Sequence, residues 1–381
     1  MNAPISFEIR ARDGDARMGR LLTPHGEIAT PCFMPVGTRA AVKAMAPDEL
    51  WDIGYRLVLA NAYHLAVRPG PDLVHQMGGI ARFMGFRGAI LTDSGGFQAM
   101  SLAKINSIDE GGIRFRSHLD GAPIMLTPES TVELQQALGT DVMMALDECT
   151  PFPADHARAL ASLEMTARWA ERCIRARTTT QALFGIVQGS VYADLRRISA
   201  SQITALPFEG FATGGLSVGE PKPAMREMAA LSATLLPRDR PHYLMGVGTP
   251  QDLLACVAMG YDMFDCVLPT RNARNGGAFT SEGRLAIKRA AYARDERPLD
   301  SRCDCRCCTT FSRAYLRHLH LSGEILAARA LTEHNLFFYA RLMREAQAAI
   351  ASGTYRAFAA YVTNLIDDGE NAVNGNKIDV V

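Results

Sequence analysis

Three carboxylates stand at or inside the ends of short apolar runs. Asp93 lies in Leu91-Thr92-Asp93-Ser94-Gly95-Gly96-Phe97-Gln98, Asp147 in Asp147-Glu148-Cys149, and Asp265 within Met263-Phe264-Asp265-Cys266-Val267-Leu268. An unpaired charge inside such a run costs several kcal/mol, so a barrel lumen or an active site accounts for Asp265 better than a plain core does. Asp93 and Asp147 each have a plainer reading as a helix N-cap. Other runs end in Gln188-Gly189-Ser190, Gly214-Gly215-Leu216-Ser217 and Gly246-Val247-Gly248, and Asp265 is followed by Pro269-Thr270-Arg271-Asn272-Ala273-Arg274. Glycine pairs alone mostly mark turns. With no evident catalytic His or Ser, paired carboxylates suit chemistry at a sugar carbon. One attacks as nucleophile and another carboxyl manages protons, through a covalent glycosyl-enzyme. The remaining Asp, Gln and backbone groups suit the edge of a planar heterocycle: carboxylates accept from ring N–H and amino groups, while amides donate to a carbonyl.

A second constellation is the cysteine cluster Cys303-Asp304-Cys305-Arg306-Cys307-Cys308; the other five cysteines (Cys32, Cys149, Cys173, Cys256, Cys266) are dispersed, as small buried apolar side chains usually are. Three thiolates and one imidazole form the ligand set of a closed, structural zinc site. Cys307 and Cys308 are neighbours whose side chains point apart, so they do not both bind one ion. His318, His320 and His334 compete for the fourth place on spacing alone. A redox Cys-x-x-Cys at Cys305 and Cys308 lacks a thioredoxin-like context. Disulfides are disfavoured, because the start MNAPISFEIR has no apolar signal core. From Arg271 to His318 there are 11 Lys/Arg against 5 Asp/Glu. The metal therefore reads as the staple of a polyanion-binding element and not as the catalytic centre.

The elements that must position these groups follow from size and pattern. The chain has 381 residues, 48% hydrophobic and 21% charged, which makes it a soluble globular protein with ample core. Forty basic and forty acidic residues cancel, so no global field draws the protein to a polyanion and any nucleic-acid contact must be local. No run is long and apolar enough for a membrane span; with free thiols this points to the reducing cytoplasm. After a hairpin-like start (Phe7 to Arg12, turn Asp13-Gly14-Asp15, Arg17 to Leu22), eight apolar runs recur: Cys32–Gly37, Arg56–Ala62, Ala89–Thr92, Asp141–Leu146, Leu183–Val187, Gly210–Thr213, Tyr243–Val247 and Met263–Leu268. Near-continuous hydrophobicity marks buried parallel strands. Between them, Thr127-Pro128-Glu129 reads as N-cap, N1 proline and first-turn acid, and Ala154–Arg177 and Lys222–Leu236 show helical periodicity. The pattern predicts an α/β fold, a (β/α)8 barrel, with Ile105–Leu126 as an inserted hairpin. Chemistry belongs at the strand C-termini of such a barrel.

The segments LTDSGGFQ, DECTPFPAD, GIVQGS, ATGGLSVGE, YLMGVGTP and DCVLPTRNARNG, with CxCxxC and a distant His, resemble bacterial tRNA-guanine transglycosylases over roughly residues 7–360. The resemblance implies a (β/α)8 TIM barrel with an inserted zinc subdomain. It would exchange guanine at the wobble position of GUN-anticodon tRNAs (Asp, Asn, His, Tyr) for preQ1, a 7-aminomethyl-7-deazaguanine. Carried across by motif, Asp265 is the nucleophile and Asp93 the general acid/base. Asp147, Gln188, Gly214, Gly215 and the Leu216 backbone would recognise the base, with Ser94, Gly95, Gly96, Phe97, Tyr243 and Met245 lining the pocket and Glu220 steadying the Leu216 peptide. Two segments would contact tRNA: Gly246, Val247, Gly248, Thr249, Pro250, Gln251 and Asp252, then Thr270, Arg271, Asn272, Ala273 and Arg274. Cys303, Cys305, Cys308 and His334 would hold one zinc ion, leaving Cys307 spare. Cys149 and Val218 resemble the bacterial pocket. A homodimer is implied, with the Phe311–His320 helix as a candidate contact. The expected organisation is an N-terminal hairpin region over 1–30, a barrel over 31–365 that includes a zinc subdomain at about 280–350, and a polar tail over 366–381. The tail departs from the family ending from about Thr363 and reads as frayed. A non-catalytic superfamily subunit would lack the aspartates, and a zinc hydrolase would need an open metal position. Relatives that modify DNA would share the chemistry.

Overall fold

The computed structural model describes residues 5–97, 105–117 and 119–375. An antiparallel meander opens the chain: β1 (Ser6–Asp13), β2 (Ala16–Thr23) and β3 (Gly26–Thr30). The expected hairpin is thus three strands, because Gly26 at φ 112 turns the chain once more. Then follow β4 (Cys32–Met34), β5 (Leu57–Asn61) and β6 (Ala89–Asp93). A second antiparallel sheet, β7 (Ile105–Asp109), β8 (Gly112–Arg116) and β9 (Pro123–Leu126), fills the predicted insertion. The chain continues through β10 (Val142–Met144), β11 (Ala182–Val187), β12 (Gly210–Thr213), β13 (His242–Leu244) and β14 (Met263–Asp265), then a hairpin of β15 (Gly277–Thr280) and β16 (Gly283–Ala286).

Eight of these strands form one parallel sheet in the order β4-β14-β13-β12-β11-β10-β6-β5. A parallel bridge between Val36 and Leu59 joins its two edges, with Gly37 N–H donating to Leu59 O at 2.6 Å. The sheet is therefore a barrel, and all eight predicted runs supply its staves. The staves are buried on both faces, as their uninterrupted hydrophobicity requires; Val58, Ala60, Ile90 and Leu91 are wholly inaccessible. The surrounding helices follow their local signals. Thr127 Oγ1 accepts from Ser130 N–H at 3.0 Å and caps Pro128–Leu138, while Asp155 caps His156–Ala176.

The meander closes the N-terminal end of the barrel. Leu21 and Ile28 pack with Met34, Leu57 and Val142 in the lumen. Arg17, fully buried, bonds Asp262 just before β14, and His25 Nδ1 lies 2.7 Å from Asp141 just before β10. Arg17, Asp262, His25 and Asp141 at that end are thus engaged in structural pairs.

The 27-residue helix Ile325–Ala351 ties the C-terminal elements to the barrel. Asn335 donates to Pro269 O (2.9 Å) and Gly277 O (3.0 Å) and accepts from Phe279 N–H (2.9 Å); Tyr339 donates to Gly248 O (2.5 Å). A last helix spans Tyr355–Gly375 and so continues through the stretch whose polarity suggested fraying from Thr363. Phe358, Val362 and Ile366 recur at four-residue steps and pack on the main core; Tyr355 N–H donates to Asp13 at 2.7 Å. Residues 376–381 of the expected tail lie outside the described residues. No helix among the described residues is long and apolar enough to cross a membrane.

Candidate active site and metal centre

Asp265 is the last residue of β14 and lies half-buried at the C-terminal rim. One carboxylate oxygen accepts from Tyr243 Oη at 2.6 Å and from Gly246 N–H at 2.8 Å. Burial pushes its pKa above the ordinary aspartate value, while these two donors oppose that shift. Burial and the Asp265 charge together hold the Tyr243 phenol protonated. The result is a desolvated carboxylate with a defined orientation, the state a nucleophile needs.

Asp93 ends β6 and is buried. It accepts from Asn61 Nδ2 and from Ala62 N–H (3.0 Å), both at the end of the adjacent β5. Its charge raises the pKa values of both Asp147 and Tyr243, so it lies within electrostatic reach of each. Asp147, after β10, accepts from Gln188 Nε2 at 2.6 Å. Burial lifts Asp147 to about 6, with Gln188 and Ser94 bonding against the shift. Neither Asp93 nor Asp147 is a helix N-cap.

A side chain at these glycines would crowd the site. A Cβ on Gly215 (φ 65) would come within 2.3 Å of Gln188 Oε1, one on Gly214 within 2.7 Å of Gln188 Nε2, and one on Gly96 within 3.0 Å of Asp147 O. Gly95 is left-handed at φ 82 beside Tyr63. Leu216 is buried, and Glu220 accepts from the N–H groups of Ser217 and Val218 (2.9 Å for the latter). Phe97 is 51% exposed at the rim, and Met245 is half-buried.

The two segments expected to meet tRNA divide by burial. Gly246, Arg271 and Arg274 are exposed, and Thr249, Gln251 and Asn272 are half-buried. Val247, Gly248, Pro250, Asp252, Thr270 and Ala273 are buried. Asp252 is committed to Thr249, Lys222 and Arg226. Sequence reasoning missed Asn61 and Arg196. Asn61 stands at a strand C-terminus and the rule applied to the aspartates reaches it too; Arg196 sits within a helix and carries no motif.

Away from this rim, Cys303, Cys305, Cys308 and His334 are all buried, with ligand atoms within 4.8 Å of one another. The three sulfurs lie 3.7, 3.5 and 3.3 Å from His334 Nδ1. His334 Nε2 lies 2.8 Å from Phe279 O; donation there leaves the Nδ1 lone pair free for a metal. Cys307 is not in the set and is buried among Leu285, Leu299 and Leu316. His320 is withdrawn to Gly276, where a Cβ would meet its ring at 2.6 Å. Four mutually close soft donors form a site that could hold a metal ion with no open position.

A closed eight-stranded barrel whose C-terminal rim gathers a buried carboxylate pair and an oriented third defines a barrel enzyme with a separate cluster that could hold a metal ion. The chain belongs to the queuine tRNA-ribosyltransferase family, whose sequence profile matches residues 13–366. Relatives bearing that name include proteins of Symbiobacterium thermophilum (54% identical, covering 93% of this chain and 90% of the relative), Solidesulfovibrio magneticus (52%, covering 97% and 100%) and Sorangium cellulosum (55%, covering 93% and 90%).

Proposed function

We propose that this chain exchanges the wobble guanine of GUN-anticodon tRNAs for preQ1 by double displacement. Asp265 attacks the ribose anomeric carbon, the bond to guanine breaks, and Asp93 supplies the proton to the leaving base. A ribosyl ester on Asp265 results. The incoming base surrenders a proton to Asp93, bonds to the same carbon and releases Asp265. Asp147 as carboxylate accepts from the ring N–H and amino groups of guanine, and Gln188 with the Gly215 N–H donates to its carbonyl. The observation that carries this reading is the oriented, desolvated Asp265 carboxylate at the same rim as the Asp147–Gln188 pair. Incorporation of labelled guanine into purified GUN-anticodon tRNA, but not into other tRNAs or duplex DNA, tests it; equal incorporation into duplex DNA would redirect the substrate.

The metal in this reading is zinc. Bond lengths of about 2.3 Å to sulfur and about 2.0 Å to nitrogen at a tetrahedral centre set S···N separations of about 3.5 Å, the range found here. Zinc would supply structural cross-linking between the Cys303–Cys308 loop and the long helix. A cytoplasmic location is supported by nine cysteines, none of them in a disulfide. A homodimer is supported by the surface around Arg313–Leu321, where Phe311 and Tyr315 pair at 5.5 Å and Tyr315, Leu321 and Ile325 are exposed by 42%, 57% and 82%.

A further inference from the structure

The loop Gly214–Val218 is held from two sides by groups of opposite charge. Arg196, on the helix Ala193–Thr204 after β11, is fully buried. Its Nη1 donates to Gly214 O (2.8 Å) and Val187 O (3.2 Å), Nη2 to Gly215 O (3.4 Å) and Nε to Ser190 O (2.9 Å). Across the loop, the Glu220 carboxylate takes the N–H groups of Ser217 and Val218. In a trans peptide the C=O and the following N–H point in opposite directions. Drawing the carbonyls of Gly214 and Gly215 toward Arg196 therefore turns the Gly215 and Leu216 N–H groups away from it. Drawing the Ser217 N–H toward Glu220 likewise turns the Leu216 carbonyl outward. The loop acquires one fixed polarity.

This arrangement is costly, which argues against incidental packing. Among the described residues no carboxylate forms an ion pair with Arg196, and burial lowers its pKa to about 10, which leaves it charged at neutral pH. A buried guanidinium without a carboxylate is satisfied only by its hydrogen bonds. Ser190 (φ 51) and Ser217 (φ 60) are non-glycine residues in the left-handed region, one in each loop the two charges hold. A purely structural arginine has no need of these particular acceptors. Here Val187 and Ser190 bracket Gln188, and Gly214 and Gly215 directly precede Leu216.

We propose that Arg196 is a positioning residue for the exchanged base: by gathering the carbonyls of Val187, Ser190, Gly214 and Gly215, it aims the Gln188 amide and the Gly215 and Leu216 N–H groups at the base edge. The inference rests on reading this rim as a base-exchange site. It separates base recognition from RNA docking, because Arg196 reaches no surface on which a phosphate could lie.

The test is steady-state exchange of labelled guanine into tRNA by Arg196→Lys and Arg196→Gln, with melting temperatures measured in parallel. The guanine KM should rise about tenfold or more while the tRNA KM stays within about twofold. Millimolar, sub-denaturing guanidinium should restore part of the guanine affinity of Arg196→Ala, and ammonium at equal ionic strength should not. Folded variants with an unchanged guanine KM, or with guanine and tRNA KM rising together, would overturn the inference. So would failure of every variant to fold, which would make Arg196 a folding residue. A wild-type protein that exchanges no guanine would instead sink the underlying reading.

Discussion

Tyr243 donates to Asp265 across 2.6 Å because β13 and β14 are neighbours in the barrel. The bond orients the carboxylate and offsets part of its desolvation. Asp265→Asn keeps the shape and should fold normally, yet abolish exchange and trap no covalent RNA adduct on denaturing gels. Near-normal turnover would remove Asp265 as nucleophile. Tyr243→Phe deletes one donor and should slow exchange by about tenfold without loss of tRNA affinity.

Asp93→Asn cannot shuttle a proton, so exchange should fall by about 10² or more. Asp93 is buried against Asn61 and Ala62, so tRNA affinity, read by titration, should barely move. An equal loss of affinity and rate would indicate positioning instead.

Asp147 gives a pH signature. Burial raises its pKa to about 6 in the fold, and in the proposed role both carboxylate oxygens accept N–H groups of the base, whereas the protonated acid turns an O–H donor toward them. Guanine affinity should therefore weaken as pH falls through about 6. The folded group holds its proton more tightly than an unperturbed aspartate at 3.8, so its charge costs stability above about pH 6 and none below 3.8. Asp147→Asn should raise the melting temperature at pH 8, and the gain should shrink between about pH 6 and 4. A variant no more stable than wild type at pH 8 would contradict the assigned shift.

Cys303→Ser and His334→Ala should release metal and lower the melting temperature, because binding energy at a structural site is folding energy. Elemental analysis should find one zinc per wild-type chain and much less in these variants. Cys307→Ser should retain the metal, since that thiol lies outside the ligand set. Loss of zinc from Cys307→Ser would reassign the ligands.

The basic segment is not uniform. Arg313 is 12% exposed and bound to Asp295, Pro298 O and Leu299 O, so Arg313→Ala should cost stability. Arg271 and Arg274 are exposed and form no ion pair among the described residues. Neutralising either should reduce the salt slope of tRNA binding by up to about one unit. Titrations across a salt series separate the two outcomes, and an unchanged slope for both would move the docking face elsewhere.

The barrel was legible because burial on both faces forces long apolar runs at Leu57–Asn61 and Ala182–Val187, and because carboxylates break such runs only where chemistry or a partner excuses them. Spacing could not choose among His318, His320 and His334; that choice depends on how Ile325–Ala351 packs against Phe279. Arg196 was invisible for a similar reason. Its acceptors are backbone carbonyls of loops that only the closed barrel brings together. The tail from about Thr363 reads as frayed from its polarity, yet the helix runs on to Gly375, anchored by Phe358, Val362 and Ile366 at the four-residue spacing of a packed face.

The meander and the last helix meet at Asp13 and Tyr355, 342 positions apart, and Arg17 waits for Asp262. During synthesis the Asp13 and Arg17 side chains therefore leave the ribosome long before their partners exist. Since β4 pairs with β14 as well as meeting β5, the cylinder cannot shut until most of the chain has emerged. Prematurely terminated chains should then present open strand edges to chaperones and proteases. Emergence of β14 thus acts as a checkpoint: only a chain that has reached Asp265 can hide the edges that mark it for removal.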